Sequence, residues 1–197
     1  VDGKTAVGKT HTLAIPYICA GVLKGFLFRR VDSDDKPKYL ANFALDRRSV
    51  FFNYPEQGSS VIAVVEGEMD ALTATAAGIP GVVAIGGSEI AGERRHQVEV
   101  ALASGTRSII LCPDLDSTTA EDGTVVPDHA KRLKAVMHSV HTIKDIDIEF
   151  DSIYVTVFDE PTDPDEFIRK RGGDAFIKLL RDALPWWEYV YKVKSKR

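Results

Sequence analysis

The sequence predicts an α/β fold: a parallel sheet with helices on both faces, preceded by a small, mostly β, basic subdomain and followed by C-terminal helices. Three observations predict it. Val61–Val65 is a continuous apolar run rich in β-branched residues, the pattern of a strand buried on both faces. From there to Phe158, strand-like and helix-like segments alternate, which implies βαβ units. Before residue 59 the rhythm differs, with short, loosely alternating segments between turn residues. The divisions expected are 1–58, 59–160 and 161–197.

The elements come in this order. His11–Ile18 and Gly21–Val31 alternate as strands about an Ala20-Gly21 turn; Asp32–Pro37 is a polar turn, and Ser49–Asn53 is another short strand. After Val61–Val65, Glu68–Ala77 is an Ala-rich helix closed by Gly78 and then Pro80. Gly81–Ile85 is a strand ending in Gly86-Gly87, and Ala91–Ala103 is a helix closed near Gly105. Ser108–Cys112 is a strand, Asp128–His141 a helix and Ser152–Phe158 a strand. Asp163–Arg171 and Asp174–Leu184 are helices, the second running on through Trp186-Trp187, and Lys192–Arg197 is a basic, frayed end.

With 197 residues, 44% hydrophobic and 27% charged, the chain suits one compact domain or two small subdomains sharing a core. No apolar run is long enough for a membrane span, no signal peptide is visible, and no membrane partner is expected. Cys19 and Cys112 lack zinc-ligand spacing and read as free, buried thiols of a cytoplasmic protein. A net charge of −4 does not advertise a nucleic-acid binder. The layout is uneven, however: lysines and arginines crowd the first 58 residues and acids crowd the centre.

The acids fall where strands end. Val61–Val65 runs into Glu66-Gly67-Glu68-Met69-Asp70, Ser108–Cys112 into Pro113-Asp114-Leu115-Asp116, and Ser152–Phe158 into a stretch holding Asp163 and Asp165. In open parallel sheets functional groups gather at the carboxyl ends of strands. Crowded carboxylates repel one another unless a cation intervenes, and an all-oxygen set suits Mg²⁺. A carboxylate left free of metal serves as general acid or base, so the combination points to metal-assisted phosphoryl transfer or hydrolysis. Taken singly, Asp70, Asp163 and Asp174 also fit acids that complement helix dipoles. Three clusters at three strand ends favour the metal site.

The run Val-Val-Glu-Gly-Glu-Met-Asp-Ala-Leu at 64–72, Gly86-Gly87 and Asp114-Leu-Asp116 resembles the Toprim domain of DnaG-type primases, topoisomerases, RecR-type recombination proteins and OLD-family nucleases. Asp163-Pro164-Asp165-Glu166 resembles the segment after the last Toprim strand in bacterial and phage primases. Ile15-Pro16-Tyr17, Gly25-Phe26, Arg29-Arg30 and Lys36–Leu40 resemble the basic subdomain that precedes it there. The resemblance implies a Toprim-like sheet and a nucleotidyltransferase that makes RNA primers for DNA replication. Its partners would be a single-stranded DNA template, nucleoside triphosphates and a replicative helicase, and its cofactor Mg²⁺, with Mn²⁺ as a substitute. It implies Glu66 as the acid/base carboxylate and Gly67 as the residue that permits a tight strand-to-helix turn. Asp114 and Asp116 would be the main metal ligands, supported by Asp70, Asp163 and Asp165. Arg29, Arg30 and Lys38 would contact template or nucleotide phosphates; a solvated basic face is the plain alternative for these three. One departure stands out: the family's glycine after Asp-x-Asp comes late, at Gly123, in a longer loop with Asp122-Gly123 as a hairpin turn.

Gly3–Thr10 fits the phosphate-binding loop pattern letter for letter. That loop needs a strand before it and a helix after it. Only two residues precede Gly3, and Pro16 interrupts the stretch after Thr10, so a flexible leader is the better reading. Two other functions compete with primer synthesis: a Toprim nuclease cutting DNA with the same acids, and a non-catalytic nucleic-acid-binding module of a helicase or recombination complex.

Overall fold

The computed structural model describes residues 10–33, 35–42, 45–120, 122–146 and 152–195. The expected leader over 1–9 lies outside the described residues.

The first unit is a three-stranded antiparallel sheet in the order β1 (Leu13–Cys19), β2 (Val22–Arg29), β3 (Tyr39–Ala41). Ala20 at φ 49° and Gly21 at φ 72° supply the left-handed pair that a two-residue hairpin turn needs. β3 is an addition to the expected strands; it pairs with Leu27–Arg29 on the free edge of β2. The expected strand at Ser49–Asn53 does not form. Asn53 takes a left-handed φ of 62°, and only Phe52 pairs, exchanging two backbone hydrogen bonds of 2.9 and 3.1 Å with Ala84.

The rest of the chain runs β4 (Val61–Val65), α1 (Glu68–Ala76), β5 (Val82–Ala84), a 3₁₀ turn at Gly92–Arg94, α2 (Arg95–Ala103), β6 (Ser108–Leu111), β7 (Ser117–Thr119), β8 (Val125–Pro127), α3 (His129–Lys144), β9 (Ile153–Val155), α4 (Pro164–Arg171), α5 (Gly173–Arg181), β10 (Leu184–Pro185) and α6 (Trp186–Lys194). The five-stranded sheet has the order β10-β9-β6-β4-β5, parallel except for β10, which bears out the expected α/β class. β7 and β8 form a separate antiparallel hairpin with Gly123 at φ 83°, as the Asp122-Gly123 turn predicts.

Both faces of the sheet are buried, which is why its strands read as unbroken apolar runs. Ile62 and Val64 pack on one side with Val98, Val136, Val140 and Tyr189 of α2, α3 and α6. Ala63 and Val65 pack on the other with Ala71, Ala74, Phe167 and Phe176 of α1, α4 and α5. Each such fully buried Val, Ile or Phe contributes roughly 1.5–3 kcal/mol. Cys19 and Cys112 are free and buried. Among the described residues no helix is long and apolar enough to cross a membrane.

The C-terminal end differs from expectation. The helix expected to run from Asp174 through Trp187 stops at Arg181. Leu184 and Pro185 then pair antiparallel with Val155 and Tyr154 before α6 begins. Pro185 is tolerated there because β10 is an edge strand with no further neighbour to receive its missing N–H. α6 stays helical through Lys194.

The winding places the site. The chain passes from β4 to β5 on one side, then crosses back to lay β6 on the other side of β4. A crevice opens at the carboxyl ends where the winding direction switches, between β4 and β6. Glu66 and Asp114 stand at its two lips.

Candidate functional site

An open cleft of about 390 Å³ lies over that crevice. Its acidic wall is Glu66, Glu68, Asp70, Asp114, Asp163 and Asp165; Arg29, Lys38, Tyr39 and Arg47 face it from the N-terminal side.

The acidic loops are stitched together by their own backbone. Leu115 and Thr162 exchange N–H···O bonds of 3.0 and 2.9 Å, tying the Asp114 loop to the Asp163 loop. Asp70 accepts from the Gly67 N–H at 3.0 Å and from the Asp165 N–H at 3.1 Å. Glu66 Oε1 accepts from the Asp114 N–H at 3.2 Å. Gly67 has an ordinary extended backbone, φ −104° and ψ 150°, so the expected reason for a glycine there is wrong. A Cβ would stand 2.9 Å from Asp70 Oδ2; the glycine makes room for that carboxylate rather than for a turn. Gly86 differs: its φ is +65°, and a Cβ would stand 3.0 Å from Arg47 Nη2.

Burial and crowding leave these acids reluctant to ionise. Burial first, then Glu66 and Asp70, pushes Asp114 up to about 8. Burial raises Glu66 to about 7, with Asp116 adding to it and the Asp114 N–H opposing it. Burial and Asp163 raise Asp70 to about 6. Asp114 Oδ1 is buried and has no hydrogen-bond partner. An orphaned carboxylate oxygen among like charges fits a divalent cation, which would satisfy the oxygen and relieve the repulsion. Among the described residues no three candidate ligands already converge on one point.

The sequence-predicted residues are not equally placed. Glu66, Asp70, Asp114, Asp163 and Asp165 all line the cleft. Asp163 also caps α4, accepting from the Glu166 N–H at 2.7 Å. Asp165 Oδ1 already takes the Thr73 hydroxyl at 2.5 Å and Arg169 Nε at 2.8 Å. Asp116 stands outside the cleft lining, exposed, with Oδ2 2.5 Å from Lys131 Nζ. Arg29 and Lys38 line the cleft; Arg30 lines the adjoining groove and pairs with Asp35 at 3.1 Å.

Two site residues escaped sequence reasoning. Glu68 is 1% exposed, and its Oε1 accepts from Arg47 at 2.9 Å (Nε) and 2.5 Å (Nη2). Arg47 and Arg29 both lie over the Tyr39 ring, at 5.7 and 5.6 Å from its centre. Nothing local in the sequence separates Arg47 from its neighbour Arg48, which pairs with Glu93 at the surface.

The family model described as Toprim-like matches residues 63–168. The DNA primase of Listeria innocua serovar 6a is 25% identical over 187 residues, covering 90% of this chain and 26% of the relative. The chain thus spans about a quarter of that relative's length. A solved structure of the DnaG catalytic core superposes with a TM-score of 0.69 at 22% identity, over 91% of this chain and 55% of that one. A DnaG primase catalytic domain bound to single-stranded DNA gives 0.68 at 21%, over 91% and 54%. These two likenesses show the fold.

Proposed function

The chain belongs to the Toprim-like family, and on that premise we propose that it is the catalytic core of a DNA primase, joining ribonucleoside triphosphates into a primer on single-stranded DNA. The observation that carries this reading is the cleft itself, a wall of carboxylates facing Arg29, Lys38 and Arg47. Acids alone would serve hydrolysis as well. The opposed basic wall suits a reaction that must hold both a strand and a triphosphate. The similarity to DNA primases supports it.

In this reading Glu66, raised to about 7, exchanges the proton of the attacking 3′-hydroxyl near neutral pH. Asp114 and Asp70 would hold Mg²⁺, with Asp163 beside them and Mn²⁺ able to replace it. When bound there, the ion would supply charge neutralisation at the reacting phosphate and would favour deprotonation of the attacking hydroxyl. Arg29 and Lys38 hold phosphates. Asp165 keeps Asp70 and α4 in place through its backbone N–H and the Thr73 contact.

The test is primer synthesis on single-stranded DNA with labelled ribonucleotides and Mg²⁺ or Mn²⁺, parent against Glu66→Gln. Removing a positioned acid/base is expected to cost about 10²–10⁴-fold. Cleavage of DNA without triphosphates, lost in Glu66→Gln, would replace the primase with a nuclease. DNA binding with neither activity would favour a non-catalytic module.

Asp116 joins the ligands in this scheme only when it leaves Lys131. An exposed pair of this kind is worth up to about 1 kcal/mol. Lys131→Ala is therefore expected to lower the half-saturating Mg²⁺ concentration by no more than about fivefold. A rise in that concentration would mean that the lysine helps to build the site instead.

A further inference from the structure

We propose that the pocket between the start of α3, the loop after β9 and α6 binds a small oxyanion, independently of the carboxylate cleft and of the polymerase reading. Its volume is about 140 Å³. That space admits a phosphate or carboxylate group with room to spare.

Its floor is Arg132, 3% exposed. A buried guanidinium ordinarily sits against a carboxylate. The hydrogen bonds of Arg132 go instead to neutral acceptors, the Pro113 carbonyl at 3.1 Å from Nε and the Thr156 hydroxyl at 3.2 Å from Nη2. The rings of Phe158 and Tyr189 flank it at 5.0 and 5.7 Å, supplying partial negative charge but no anion. The fork keeps further donors for a ligand.

Tyr189 is the second, independent observation. It is 1% exposed and lines the pocket; its buried hydroxyl lies beside the Arg132 guanidinium, which can only donate to it, and finds no acceptor for its own proton. Such a group normally costs about 1–3 kcal/mol unless something partners it. An oxyanion set between Arg132 and Tyr189 satisfies both at once. Lys192 and His129 stand in the same wall, and Asp159 is the acid among the lining residues. The balance of charge therefore favours an anion.

The experiment is thermal melting of the chain at fixed ionic strength, exchanging chloride for inorganic phosphate or for acetate. Binding to the folded state raises the melting temperature as the anion exceeds its dissociation constant. The parent is expected to gain with at least one of the two, and the better one tells whether the site prefers a tetrahedral or a planar group. Tyr189→Phe should lose that gain, yet melt little lower than the parent in chloride, because the hydroxyl removed had no acceptor. Lys192→Ala should weaken the response several-fold. The cleft variant carrying Arg29→Ala and Lys38→Ala should keep it. No gain with either anion, a gain retained in Tyr189→Phe, or a gain lost in the cleft variant would each overturn the proposal.

Discussion

Asp114→Asn is expected to lose primer synthesis by at least about a hundredfold while making the metal-free protein harder to melt. The two effects have one cause. Burial and neighbouring acids raise the Asp114 carboxyl from an ordinary value of 3.8 to about 8. Between those values the folded chain holds a proton that the unfolded chain has released. Folding stability therefore falls as pH rises through that window, by up to about 1.4 kcal/mol per unit for each such proton. The loss is complete above about pH 8. Asparagine does not titrate, so its advantage in chelator should widen from pH 5 to pH 8 and then level off. Mg²⁺ should invert the order, because a cation stabilises the ionised parent and competes with the proton. Melting curves with chelator and with Mg²⁺ at several pH values check both arms. Equal melting of parent and variant in chelator above pH 8 would show that Asp114 is not crowded.

Arg47→Ala is expected to cost roughly 3 kcal/mol of folding stability, among the largest effects of any single polar change here. Glu68 is 1% exposed, and Arg47 is the cation that meets it. Without that guanidinium a buried carboxylate is left alone, the costly half of a broken pair. Arg47 is itself 26% exposed, which keeps the figure at the low end of the range. Replacing both residues, Arg47→Met with Glu68→Leu, should recover most of the loss. Urea midpoints for the four proteins form a double-mutant cycle. A loss in the double variant equal to the sum of the two single losses would show that the pair is not coupled. Arg47 also bounds the cleft, so the stabilised double variant would remain slower in primer synthesis even with its fold restored.

The sheet was legible where burial dictates composition. Ile62–Val65 and Ile109–Leu111 lie within the sheet's two packed faces and must be apolar, which explains such short unbroken runs. β3 and β10, three and two residues long, are too short to show any period; they exist because an edge of β2 and an edge of β9 were free. Ser49–Asn53 had the composition of a strand but not the backbone, because Asn53 turns left-handed. In the cleft, Glu66 and Asp114 were legible because each follows closely on a buried strand, and Asp70, Asp163 and Asp165 because they cluster in the segments that come after strands. Their cationic counterparts were not: Arg47 meets Glu68, and Lys131 meets Asp116, across separate elements. Gly67 looked like a turn residue because only the folded chain shows Asp70 lying over it.

The hairpin β7–β8 leaves the Asp114 loop and returns to α3 with its base closed. The Asp128 N–H donates to the Asp116 carbonyl at 2.8 Å, and Ser117 pairs with Pro127. Two successive residues of α3 then clamp the loop at either end of its acidic run, Arg132 on the Pro113 carbonyl and Lys131 on Asp116. Whatever lies beyond Ser117 and Pro127 is mechanically insulated from Asp114. The loop that carries Asp114 is therefore braced without help from the hairpin tip, and shortening the turn around Gly123 should leave the placing of Asp114 unchanged.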